Sequence, residues 1–283
     1  MYFLLSALAQ ASAIAIIAIA LALFLRATGV VILEATIFGT ALALAVVTGI
    51  SRQSAAAPRG GWFLLSAILA LLLTVSLLAF YRVCRSARGG DATTLMMSFA
   101  LMNVLALTMS KLTDGKSVNV GADFLGNPLG VSLLGWGVIL AFHIASRRGS
   151  SLSAVKLARD NDALLTTFGL SGNRIRITTT LLACVFLALG SLLFIIEQEN
   201  FSASKYELYL IPAFSVAISR KRLNALSIGA TSLGLVVTER LLEFFGPPLL
   251  QRVYQSIILV VLALCAPPIA ELYRRLKYQS EIA

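Results

Sequence analysis

Charge is scarce in this chain: only 13% of its 283 residues are Asp, Glu, Lys or Arg, about half the share found in soluble globular domains. Histidine occurs once, at His143, which removes any chemistry built on a histidine cluster. The three cysteines, Cys84, Cys184 and Cys265, lie far apart and form no CxxC, so neither a metal site nor a disulfide framework is indicated. HExxH, GxSxG and Walker motifs are missing, and no pair of carboxylates stands inside an apolar stretch. These absences argue against an intramembrane protease or lipid hydrolase, and the chain has no phosphate-cradling loop with which to hydrolyse ATP itself. No span is rich in arginine, so a voltage sensor is excluded as well.

What is present is apolar. Hydrophobic residues make up 58% of the chain, more surface than a water-soluble fold can hide. A soluble enzyme, a disordered chain and a disulfide scaffold are thereby excluded. The apolar stretches are continuous and rich in Leu, Ala and Ile rather than alternating with polar residues, which favours helices over a transmembrane barrel. A helix needs about 20 residues to cross the bilayer, so the length holds about eight to ten spans and no added soluble domain. The expected fold is all-α, a polytopic transmembrane helical bundle in one domain, 1–283.

Apolar spans are expected at 3–25, 29–50, 61–81, 93–110, 128–146, 177–197, 206–219, 223–242 and 253–272. No basic residue precedes the first and no A-x-A site stands in a suitable place, so it reads as a retained helix rather than a cleaved signal peptide. The segment 206–219 is short for a span and suits a broken or re-entrant helix, which is tolerated only where protein covers it. The formal charge of +10 belongs to orientation rather than to nucleic acid, because cytoplasmic loops collect Lys and Arg. With nine spans, the N-terminus outside and the C-terminus inside, most of the 23 basic residues fall on the inner side; the reverse orientation inverts the bias.

One connection is long. The inner loop 147–176, RRGSSLSAVKLARDNDALLTTFGLSGNRIR, has a serine N-cap candidate at Ser150, Ser151 or Ser153 and an interrupted apolar face from Leu152 to Phe168. Gly169 follows where a C-capping glycine belongs. The pattern predicts a short helix lying on the cytoplasmic surface.

Polar residues within spans are candidate pathway residues, since a charge at a helix centre costs roughly 2.5–3.5 kcal/mol on insertion scales. Glu34, early in the second span, is a candidate pathway or gating carboxylate; the alternative is an interfacial acid paired with Arg26. Asn103, in a span that also holds Thr94 and Ser98, would line a pathway, or make an interhelical hydrogen bond worth roughly 0.6 kcal/mol. His143 is expected at the inner interface. Glu239 and Arg240, adjacent and so on different helix faces, are expected with Glu243 to mark the outer end of the eighth span. Otherwise the membrane midplane carries few ionisable groups, which weakens an ion-coupled carrier.

The segment VKLARDNDALLTTFGLSGNRIR, followed by TTTLLACVFLALGSLLFI, resembles the signature segment of ABC-importer permeases of the branched-chain amino acid and sugar type. Arg159, Asp160, Asn161 and Asp162 match that family's acidic step, Gly169-Leu170 its Gly-Ile, and Asn173-Arg174 the turn before its next helix. FLRATGVVILEATIFGTALAL, with Glu34 at the position of an acidic residue of the family, GGDATTLMMSFALMNVLAL, and FGPPLLQRVYQSIILVVLAL extend the likeness discontinuously over most of the chain. They point to a subgroup of poorly characterised permeases thought to import amino acids, including aromatic ones. Two departures bear on helix packing: CVFLALGSL keeps only Gly190 of the family's small residues, and AFSVAISRKRLNALSIGATSLG replaces a Gly-rich segment.

The resemblance implies a non-catalytic permease subunit in the cell inner membrane that moves a small polar solute such as an amino acid. Cytoplasmic ATPase subunits, holding ATP and Mg, would grip the loop at Arg159–Asp162. A second copy or a sister permease would complete the pathway, and an extracytoplasmic binding protein would deliver the solute. No cofactor or metal is expected on this chain. A lipid-facing amphipathic helix is the alternative for the loop; a stand-alone carrier or channel, or a membrane scaffold, is the alternative for the whole.

Overall fold

The computed structural model describes residues 2–28, 128–148, 169–198, 200–201 and 224–245, with 118–119, 209–210, 212–217 and the single positions 100, 103, 107, 155 and 167. Apart from one two-residue strand pairing, the regular structure among them is helical. The four long helices are α1 (Tyr2–Thr28), α2 (Pro128–Arg148), α3 (Gly172–Gln198) and α4 (Ala225–Phe245). Each is long and apolar enough to cross a membrane. The chain is a helical membrane protein. The spans expected at 29–50, 61–81 and 253–272 lie outside the described residues, as does nearly all of 93–110. Within 206–219, residues 209–210 and 212–217 are helical.

α1 is the core. From Ala9 to Phe24 every residue is buried, on all sides of the helix, as expected of a helix with no polar face that is enclosed by others. α2, α3 and α4 pack around it, each burying one side and exposing large apolar residues on the other, among them Leu133, Val185 and Leu241. In lipid those outer faces cost nothing, because the surroundings are as apolar as the side chains. What holds the helices together is close packing, and α1's alanines permit it. Gly135 of α2 meets Ser12 side on, and a Cβ at Gly190 of α3 would stand 2.8 Å from Ile17 Cγ1 and 3.1 Å from the Ile17 backbone nitrogen. Gly190, the one residue of the family's small set kept in CVFLALGSL, is therefore a point of close approach between α1 and α3.

The contacts also give the directions. Glu197 of α3 reaches Ser6 while Gly190 lies on Ile16 and Ile17, so α3 runs opposite to α1. Phe142 of α2 meets Phe186 edge-on at 4.9 Å, and Gly135 lies near Leu193, so α2 runs opposite to α3. Arg240 of α4 reaches Gln10, with Gly229 against Trp136 and Ile139, so α4 runs with α3. α1 and α2 thus cross in one direction, α3 and α4 in the other.

Helix ends follow local chemistry. α2 opens on Pro128 in the first helical position, where its missing N–H is no loss. α3 starts earlier than the hydropathy suggests, at Gly172 rather than 177. Ser171 caps it, its Oγ accepting from the Arg174 N–H at 3.4 Å while its carbonyl accepts from the Ile175 N–H at 3.1 Å. Asn173 and Arg174, expected in a turn before the helix, therefore form its first turn, and the connection after α2 narrows from 147–176 to 149–171. Thr178, Thr179 and Thr180 then each donate a hydroxyl to the carbonyl four residues back, at 2.8 Å, so three consecutive polar side chains are satisfied within the helix. Strand β1 (Val118–Asn119) pairs antiparallel with β2 (Asn200–Phe201), Val118 opposite Phe201, just beyond the end of α3.

Candidate functional site

The directions of the helices sort the charges into two ends. At one end lie Arg26 closing α1, Arg147 and Arg148 closing α2, and Arg174 and Arg176 opening α3. No Asp or Glu stands with them among the described residues. At the other end are the start of α1 and the ends of α3 and α4, where Glu197, Glu239 and Arg240 lie.

The second end holds a polar network that joins four segments. Arg240 donates from Nε (3.1 Å) and Nη2 (2.9 Å) to the single oxygen Oε1 of Gln10. The Gln10 amide nitrogen faces the Tyr209 hydroxyl at 3.4 Å, and Tyr209 packs on Phe194 with ring centroids 3.9 Å apart. Ser6 donates to Glu197 Oε1 at 3.2 Å, and Arg240 Nη2 lies 3.8 Å from the same oxygen. Gln10 is buried, the Glu197 side chain is 6% exposed and that of Arg240 is 30% exposed. Burying such groups is tolerable only because each finds partners. Trp136 Nε1 adds a bond to the Leu8 carbonyl at 3.2 Å, fastening α2 to the same end of α1.

None of this network was anticipated as a unit. Gln10 is the one amide in a first span whose other polar residues are Ser6 and Ser12, which was the available signal. Arg240, expected merely to mark a helix end, turns inward to α1, and its neighbour Glu239 is buried as well, at 5% exposure. Replacing Gln10 by Leu removes the acceptor of two guanidinium donors. Because water reaches Arg240, the expected loss of stability lies toward the lower end of the roughly 1–3 kcal/mol for an unsatisfied buried group. Thermal unfolding of the purified variant in mild detergent measures it, and an unchanged melting temperature would show that the network contributes no stability.

The expected site residues fall as follows. Glu34, Ser98, Arg159, Asp160, Asn161 and Asp162 lie outside the described residues. Asn103 is helical and half-buried. Val155 is helical and buried, Thr167 is helical and exposed, and Gly169 has φ 70°, the left-handed conformation that ends a helix and suits glycine. Asn173 and Arg174 are exposed on the first turn of α3. His143, expected at the interface, is buried in the bundle, at 8% exposure. The hydroxyls of Ser191 and Ser232 are buried without a partner. Among the described residues no group of three or more His, Cys, Asp or Glu is placed to hold a metal ion. No protein-family model matches the chain, and no curated protein or solved structure is detectably similar to it.

Proposed function

We propose that this chain is the membrane-spanning permease subunit of an ABC importer, carrying a small polar solute such as an amino acid across the cell inner membrane. One observation carries the reading. The segment that resembles the family's signature leaves the bundle at Arg148 and returns at Ser171, both at the arginine-rich end. By the positive-inside rule that end is cytoplasmic, which is where an ATPase must bind. The nine-span, N-out and C-in arrangement follows the same rule, and the shared direction of α1 and α2, opposite to that of α3 and α4, is compatible with it.

In this reading Arg159, Asp160, Asn161 and Asp162 form the contact with the ATPase. Gly169 breaks the coupling helix, and the exposed Asn173 and Arg174 carry its movement into α3. ATP and Mg act on the partner, and this chain supplies differential contacts in two states rather than catalysis. A second permease copy or a sister permease, and an extracytoplasmic binding protein, complete the assembly. The test is a mild-detergent pull-down of the tagged chain from its native membrane, with subunits identified by mass. A stoichiometric ATPase bearing a Walker motif is the expected companion. A chain that comes down alone under the gentlest extraction, with solute flux independent of nucleotide, would make it a stand-alone carrier; absence of flux under any condition would make it a scaffold.

A further inference from the structure

Arg240 is carried by the second half of α4, which is anchored near its start by the buried Leu235 and Val236. In the first half of that helix, Gly229 meets Trp136 so closely that a Cβ would stand 2.8 Å from the indole ring. One turn and a half later, Gly234 is exposed, with nothing within 4 Å of where its Cβ would be. Its carbonyl accepts the Thr238 hydroxyl at 2.7 Å, in competition with the backbone N–H of the same residue. Glycine weakens a helix interior by roughly 0.5–1 kcal/mol relative to alanine, and hydroxyl bonding to the carbonyl four residues back bends helices. The turn 234–238, which combines the two, is therefore a weak point of α4. Just before it, the fully buried Ser232 hydroxyl has no partner, so the present conformation leaves one polar group of this helix unsatisfied.

We propose that α4 beyond Gly234 is a gate arm, hinged at Gly234 and latched by Arg240 onto Gln10 of α1 and Glu197 of α3. The latch is built to release. Two of its bonds go to a neutral amide oxygen, a Glu197 carboxylate oxygen stands 3.8 Å away, and the guanidinium is already partly in contact with water. On opening, water replaces Gln10 at the partly exposed guanidinium, and Ser6 keeps its hydrogen bond to the buried Glu197 carboxylate. That the arm gates a pathway rests on the permease reading; the hinge and the latch rest on the geometry alone. A bend of about 20° at Gly234 carries Phe244, about 15 Å further along the helix, through about 5 Å.

Spin labels at Leu4 and Phe244, both exposed and at the latched end, report that movement in the full chain. The labels are introduced as Leu4→Cys and Phe244→Cys with Cys84, Cys184 and Cys265 replaced, and the chain is placed in lipid nanodiscs for pulsed electron–electron distance measurement. The latched chain is expected to give one narrow distribution. Arg240→Gln should lengthen it by about 5 Å, and Gly234→Ala added to Arg240→Gln should return it toward the original. Should Arg240→Gln fail to fold, Gln10→Leu releases the same latch with the arginine in place. An unlatched variant that unfolds as cooperatively as the parent yet keeps its distance overturns the latch, and a lengthening that Gly234→Ala does not reverse overturns the hinge. If the distances move as expected but no ATPase accompanies the chain in the pull-down, the permease reading falls and the hinge stands.

Discussion

Gly190→Ala is expected to destabilise the bundle by about 1–3 kcal/mol, the usual penalty for overpacking a well-fitted core. The added methyl would come within 2.8 Å of Ile17 Cγ1 and 3.1 Å of the Ile17 nitrogen. A side chain can turn aside, but the nitrogen belongs to the backbone of a helix enclosed on every side. α3 must therefore move away from α1, loosening Leu187, Leu193 and Phe194 in the same interface. Gly137 of α2 is the matching control. It is exposed and has nothing within 4 Å of its would-be Cβ, so Gly137→Ala should be neutral or stabilise by roughly 0.5–1 kcal/mol through helix propensity. Melting temperatures of the two variants in one detergent decide the matter, and equal shifts would remove Gly190 as the point that sets the α1–α3 distance.

The second large effect is expected on association. Asp160→Lys with Asp162→Lys should weaken ATPase co-purification by at least about tenfold, since a like-charge contact across an interface costs several kcal/mol and about 1.4 kcal/mol is already tenfold. Both positions lie between Arg148 and Ser171, outside α2 and α3, so insertion into the membrane should be unchanged. Normal recovery of the ATPase with the double variant would sink the coupling assignment of this loop and favour a helix lying on lipid. Normal insertion with loss of the partner is the expected pair of results.

How far the sequence reveals this molecule depends on the range over which each feature is encoded. The four described spans were legible because a helix long enough to cross lipid is a local property of composition. The expected 3–25, 128–146, 177–197 and 223–242 correspond to Tyr2–Thr28, Pro128–Arg148, Gly172–Gln198 and Ala225–Phe245. The start of α3 was misjudged because hydropathy discounts arginine, whereas a helix end is decided by its cap; Ser171 was the residue that told where it lay. The left-handed backbone of Gly169 was legible, since glycine's conformational freedom is a local matter too.

The polar network was not legible. Ser6 and Glu197 are 191 positions apart, and Gln10 and Arg240 are 230 apart. No periodicity joins them, and Gln10 carries no charge to draw attention within an apolar span. Glu239 and Arg240 were expected on different helix faces, and the direction the arginine takes is fixed by the arrival of α1 beside α4.

The enclosure of α1 has a consequence for biogenesis. Residues 29–127 separate α1 from α2, so at 5–20 residues per second α1 waits roughly 5–20 s in the bilayer before the first of these companions is made. During that interval lipid tails occupy the surface that Gly135 and Gly190 will later cover. Because α1 is apolar around nearly its whole circumference, it can wait without a chaperone for any polar stripe; Ser6 and Gln10 lack their eventual partners. Assembly is then an exchange of lipid for protein around a helix already in place, completed only when Arg240 arrives.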